Sequence, residues 1–177
     1  MKSEISLRKS IRNWTLFFIV MLIVSGVTGF ALETELTWLN DYFSKSSNAF
    51  SMWIHKIYIS LKDTNEKYPF LAYGYDWLAF AHLVIAVAFI GVLKDPVRNK
   101  WIIQFGRIAC VMVFPLAFVA GYIRGIPVFW QLLDCSFSTI GLVPLTICYF
   151  KIENLVSIQT PSTSLSNENI VKSLSIK

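Results

Sequence analysis

Among the ionisable side chains inside or at the edges of the apolar segments of this sequence are Asp76, His82, Arg124 and Asp134. A charge in hydrocarbon costs about 2.5–3.5 kcal/mol even on lenient insertion scales, so each group needs a partner or water. A histidine titrates near neutral pH and, next to a carboxylate, can relay protons. The same groups can instead hold a polar ligand, or Arg124 can neutralise a carboxylate while His82 donates to a carbonyl of a neighbouring helix. The sequence leaves these alternatives open.

The composition indicates that membrane-spanning helices position these residues. Of the 177 residues, 55% are hydrophobic and 15% are charged, whereas an average soluble domain is about 25% charged. A spanning helix needs about 20 mostly apolar residues, because the hydrocarbon layer is about 30 Å thick. Four stretches meet this requirement, at residues 14–32, 74–93, 101–123 and 127–150.

We therefore predict an all-α fold, a four-span transmembrane helical bundle over residues 1–152. From Glu153 onwards the sequence is rich in Ser, Thr and Asn and can bury little, which predicts a mobile polar tail over 153–177 with a short helix at 167–176. Between spans 1 and 2, apolar residues at helical spacing predict an extra amphipathic helix, lying either on the membrane surface or against its own protein. These residues are Phe50, Trp53, Ile54, Ile57, Tyr58 and Leu61.

The distribution of Lys and Arg predicts the orientation, because basic residues in short loops stay in the cytoplasm. Residues 33–73 hold four lysines against five acids, and the connection after the third span offers Arg124 alone. The basic residues on the other side are Lys2, Arg8, Lys9 and Arg12 before the first span and Lys94, Arg98 and Lys100 after the second. We expect a multi-pass protein of the cell inner (cytoplasmic) membrane with both termini cytoplasmic. The alternative is a cleaved signal peptide, although the first apolar run exceeds the usual length of about 7–15 residues.

This orientation divides the polar residues between two faces. Asp76, His82, Arg124 and Asp134 all fall in the outer half, where they form the predicted outer cluster. On the inner side, Lys94, Arg98 and Lys100 are a candidate site for an anionic lipid. Arg107, six residues into the third span, is expected to extend its long side chain to the headgroups.

The sequence predicts neither a cofactor nor a metal. A bis-histidine haem site needs two histidines at similar depth, but the chain has only His55 and His82, and His55 lies outside the spans. Quinone binding needs no fixed ligand and stays open as an alternative. The three cysteines lack a C-x-x-C pair and are expected to be packing residues. The net charge of +5 does not indicate nucleic acid binding, because the basic residues flank apolar segments.

Small residues mark one face of the first span. Ser25 and Gly29 are separated by one helical turn, and Gly26 lies beside Ser25. A face of this kind lets another helix approach closely, and we expect it to be used inside the bundle. An external partner is the alternative.

Several motifs of the chain resemble a family of small bacterial inner-membrane proteins with four predicted spans and no assigned activity. The resemblance covers roughly residues 50–148 and implies a membrane location and a bacterial setting, without a catalytic or ligand role for any residue. Its motifs are Tyr68-Pro69-Phe70-Leu71-Ala72-Tyr73-Gly74, Asp76-Trp77-Leu78-Ala79-Phe80-Ala81-His82, Asp95-Pro96-Val97-Arg98-Asn99, Arg124-Gly125-Ile126-Pro127 and Asp134-Cys135-Ser136-Phe137.

These observations favour a multi-pass membrane protein that is not itself an enzyme. We expect a subunit or interaction protein that contacts the lipid bilayer and either another membrane protein or a second copy of itself. The alternative is a proton-handling or small-ligand-binding protein, including a quinone-linked one, that uses the outer cluster.

Overall fold

The computed structural model describes residues 2–174, with side chains over 3–159, and within this range the chain forms helices and no β-strand. The predicted all-α fold is therefore confirmed. The six α-helices are α1 Lys2–Phe30, α2 Leu32–Phe43, α3 Ala49–Lys67, α4 Ala72–Lys94, α5 Lys100–Ile123 and α6 Val128–Leu174, with a short 3-10 turn at Pro69–Leu71 before α4.

Four of these helices are long and apolar enough to cross a membrane, namely α1, α4, α5 and the part of α6 up to Gln159. They contain the four predicted spans almost completely, and their length and composition indicate a multi-pass membrane protein. The largest differences in the boundaries are at the start of α1 and at the end of α6. Helix α1 begins well before Trp14, because the basic segment in front of the apolar run is also helical, and α6 continues past Phe150.

The segment between the first two spans holds two helices where the sequence predicted one. Helix α3 contains the predicted amphipathic residues, and the side chain of Asn48 accepts a hydrogen bond from Ser51 N at its start. Helix α2 packs against it, with the ring centroids of Phe43 and Phe50 5.2 Å apart. His55 Nδ1 donates to Asn40 Oδ1 at 2.8 Å. These contacts favour the alternative in which α3 packs on its own protein.

Helix α6 is continuous through the polar segment that begins at Glu153. The helical stretch there is longer than the short helix predicted for residues 167–176, of which residues 175 and 176 lie outside the described part. The mobility of the tail stays a prediction.

The described residues form two compact units, one made of residues up to Ile19 together with those from Val87 onwards, and one of residues 20–86. The core of the first unit is apolar and tightly packed. Phe89, Ile103 and Leu145 are fully buried, and a Cβ on Gly106 would stand 2.8 Å from Phe89 and 2.9 Å from Leu145. The ring centroids of Phe18 and Phe89 are 4.8 Å apart.

A Schellman motif connects α5 to α6 within the first unit. Ile126 N donates to Gly121 O at 2.9 Å and Gly125 N to Tyr122 O at 3.2 Å, while Gly125 has a φ of 65°. These bonds satisfy the last carbonyls of α5, and the left-handed backbone favours glycine at this position. Pro127 O then accepts the first bonds of α6, from Trp130 N and Gln131 N.

In the second unit, Gly26 and Gly29 of the small-residue face of α1 pack against α4 as expected, whereas Ser25 of the same face is exposed. A Cβ on Gly26 would stand 2.8 Å from Ala79 O, and one on Gly29 would stand 2.9 Å from the Ala79 side chain. Only glycine allows α4 to approach α1 this closely.

We expect Gly26→Ala to lower the melting temperature of the detergent-solubilised protein, because the added Cβ meets a backbone carbonyl that cannot rotate away. Overpacking costs about 1–3 kcal/mol, which outweighs a gain of at most about 1 kcal/mol in helix propensity. The control is Gly74→Ala, whose Cβ meets nothing within 4 Å and should leave the melting temperature unchanged or slightly higher. Equal melting temperatures for the two variants would contradict the close approach of α1 and α4.

Candidate functional site

His82 is bound to its own helix. Its Nδ1 lies 2.8 Å from Leu78 O, and because a carbonyl oxygen can only accept, Nδ1 carries the proton. The sequence hypothesis of a bond to a neighbouring helix is wrong in this respect, since Leu78 and His82 are one turn apart on α4.

Asp76 lies six residues before His82 on α4, close to the start of the helix at Ala72. Six residues correspond to a rotation of about 240° around a helix, so the two side chains leave α4 in different directions. Asp76 is half-buried, and no ion pair involves it within the described part of the chain.

Arg124 lies at the C-terminal end of α5, and Asp134 lies near the N-terminal end of α6. Arg124 is exposed and caps α5, and Asp134 is exposed six residues after the start of α6 at Val128. The described residues contain three ion pairs, and none joins Arg124 to Asp134. Because Asp76 and His82 belong to the other unit, the outer cluster of four stays a prediction.

The three residues of the predicted inner lipid site have different surroundings. Lys100 forms an ion pair with Glu153, and its Nζ lies 4.9 Å from the centre of the Tyr149 ring. Arg98 is exposed at the surface, where its backbone N donates to Asp95 Oδ1 at 3.1 Å. Lys94 faces a groove, described below. Lys100 is therefore already neutralised within the protein.

Arg107 stacks on the same tyrosine. Its guanidinium carbon lies 4.4 Å from the centre of the Tyr149 ring. That the side chain extends to the headgroups stays a prediction. The Nε atom is buried without a hydrogen-bond partner. The ring of Tyr149 thus contacts two cations one after the other along α5, and these cation–π contacts join α5 to α6.

A groove in the first unit brings together basic residues that are far apart in the sequence. It has a volume of about 520 Å³ and lies between the beginning of α1 and the end of α4. It is lined by Ile5, Arg8, Lys9, Ile11, Arg12, Asn13, Val92, Leu93, Lys94 and Pro96. These cations are evident in the sequence, but no pattern in the sequence indicates that α1 and α4 are neighbours here.

A buried polar contact joins α1 to α6. Thr15 Oγ1 lies 3.7 Å from Cys148 Sγ, and Cys148 Sγ donates to Ile11 O at 3.6 Å. Thr15 and Cys148 are both fully buried. Cys110, Cys135 and Cys148 are free thiols, and the contact of Cys148 is a packing role of the kind expected.

The described residues contain no group of three or more His, Cys, Asp or Glu side chains that could hold a metal ion. Comparison of the chain with protein-family models, with curated proteins and with solved structures yields no match.

We expect Tyr149→Leu to destabilise the protein by about 1–2 kcal/mol, because the variant removes the aromatic face beneath both Lys100 and Arg107. The control is Tyr149→Phe, which retains the ring and should stay within about 0.5 kcal/mol of the wild type. Thermal unfolding in mild detergent measures both variants. Equal losses in the two variants would mean that the hydroxyl, and not the ring face, makes the stabilising contact.

Proposed function

We propose that this protein is a non-enzymatic subunit or interaction protein of a bacterial cytoplasmic membrane, and that Asp134 is where a partner helix binds. The observation that carries the proposal is an exposed carboxylate inside an apolar span. Asp134 lies about 9 Å along α6 from its first residue, at a rise of 1.5 Å per residue.

The polar neighbours of Asp134 on α6 differ from it because they are satisfied by their own helix. Ser136 Oγ donates to Leu133 O at 2.6 Å, and Thr139 Oγ1 donates to Cys135 O at 2.9 Å. A hydroxyl can bond in this way, but an ionised carboxylate can only accept. Asp134 forms no hydrogen bond or ion pair with the described residues.

The free-energy cost of an unpaired carboxylate in the hydrocarbon indicates which side chain the partner must provide. An unpaired aspartate within the hydrocarbon is unfavourable by about 2.5–3.5 kcal/mol, and a basic or hydrogen-bond-donating side chain on a neighbouring helix removes that cost. The partner is therefore a transmembrane helix with such a donor at the depth of Asp134. It belongs either to another protein or to a second copy of the chain.

The proposed orientation, with both termini in the cytoplasm, is supported by the basic residues around the groove. Arg8, Lys9 and Arg12 precede the first span and Lys94 follows the second, and all four line the same groove. Their concentration at one end of the helices agrees with the retention of basic segments in the cytoplasm.

A photocrosslinking residue placed at Phe137 should capture the partner helix in native membranes, and the additional substitution Asp134→Leu should abolish the capture. Phe137 is exposed one turn after Asp134 on α6. Leu132 is the matched control, since it is equally accessible but points about 160° away from Asp134 around the helix. Mass spectrometry of the crosslinked product distinguishes a second protein from a second copy.

Two results would contradict the proposal. One is equal crosslinking from Phe137 and Leu132, which would indicate random collisions. The other is undiminished crosslinking in the Asp134→Leu variant. If that variant also lost a response to protons or to a small ligand while folding normally, the alternative proton-handling or ligand-binding function would be favoured.

A further inference from the structure

We infer that the groove between the start of α1 and the end of α4 binds the headgroup of an anionic phospholipid. The groove is about 520 Å³ in volume, and four cationic side chains line it, those of Arg8, Lys9, Arg12 and Lys94. A volume of several hundred cubic ångströms is typical of a small-ligand site. No acidic residue lines this groove.

Most of this positive charge is not compensated within the protein. Arg8 is paired with Glu4 at 3.1 Å, whereas Lys9, Arg12 and Lys94 are exposed and take part in none of the ion pairs of the described residues. A lipid phosphate is the complementary group, and the guanidinium of Arg12 has the planar shape that binds phosphate oxygens in pairs. The groove thus differs from the surroundings of Lys100, whose charge Glu153 already neutralises.

The apolar part of the lining indicates a lipid and not a free anion. Ile5 is 63% exposed, and Ile11, Val92 and Pro96 are buried beneath the groove, so apolar side chains lie among and below the cations. A site for inorganic phosphate alone would need polar groups and no apolar surface. Charged groups above an apolar surface match an amphiphile with an anionic head.

The position of the groove along the helices agrees with a headgroup site. Arg12 lies two residues before Trp14, and Lys94 is the last residue of α4. Tryptophan favours the boundary between headgroups and hydrocarbon, and spanning helices end near the same boundary. A phosphate in the groove would therefore lie at the level of the other headgroups, with its acyl chains directed into the hydrocarbon.

Native mass spectrometry of the full chain in mild detergent, titrated with palmitoyl-oleoyl phosphatidylglycerol, tests the inference. We expect saturable binding of the first lipid molecule and much weaker binding of phosphatidylcholine. Arg12→Gln with Lys94→Gln should weaken the binding of phosphatidylglycerol about 20-fold, since one basic residue near an anionic headgroup contributes about fivefold. The charge-retaining variant, Arg12→Lys with Lys94→Arg, should keep most of the affinity.

The matched control removes the same charge outside the groove. Lys45→Gln with Lys151→Gln also lowers the net charge by two, and neither residue lines the groove. The control should bind phosphatidylglycerol within about threefold of the wild type, because it removes no basic residue from the groove, where each one near the headgroup contributes about fivefold to the affinity. If the control lost as much affinity for phosphatidylglycerol as the groove variant, the lipid would be bound by the general surface charge and not by the groove, and the inference would be overturned. Displacement of the lipid by inorganic phosphate, or equal binding of phosphatidylcholine, would also overturn it.

Discussion

The hydrocarbon core of a membrane offers no water to the peptide backbone, so every N–H and C=O within it has to be bonded inside the protein. Four long helices meet this requirement along most of their length, except where Pro115 and Pro144 each remove a backbone donor. Their ends meet it through particular residues, for example Asn99, whose side chain donates to Gly91 O at 2.9 Å, and Gly125, which closes α5. The same constraint explains why His82 and Ser136 bond to carbonyls of their own helices. The ionised carboxylate of Asp134 can only accept hydrogen bonds, so it cannot bond to a carbonyl of its own helix in this way.

The spans could be predicted from the sequence because length and apolar content alone decide whether a helix can cross a bilayer. The helices between and after the spans were harder to predict. Helix α2 carries Leu32, Leu36, Leu39 and Phe43 at helical spacing, a signal that was present but short, and only Leu36 is buried. The polar end of α6 has no apolar periodicity, so composition predicted a tail where the helix continues.

The candidate site shows where sequence reasoning reaches its limit. The ionisable residues, whose burial in hydrocarbon is energetically unfavourable, could be identified one by one from the sequence. Their partners could not, because these depend on which helices are neighbours. Lys100 and Glu153 are 53 residues apart and form an ion pair. Arg107 stacks on Tyr149 of the facing helix, 42 residues further along the sequence, a contact that no local pattern indicates. The groove likewise brings together Arg12 and Lys94, which are 82 residues apart in the sequence.

The central claim is that the chain crosses the membrane four times, and labelling of single cysteines in intact cells tests it most directly. Lys45 and Val97 both lie between helices, the first before α3 and the second before α5. In a variant whose three native cysteines are replaced by serine, a cysteine at position 45 should react with a membrane-impermeant maleimide in intact cells. A cysteine at position 97 should react only after the membrane is opened. Labelling of both positions from the same side would contradict the four-span account.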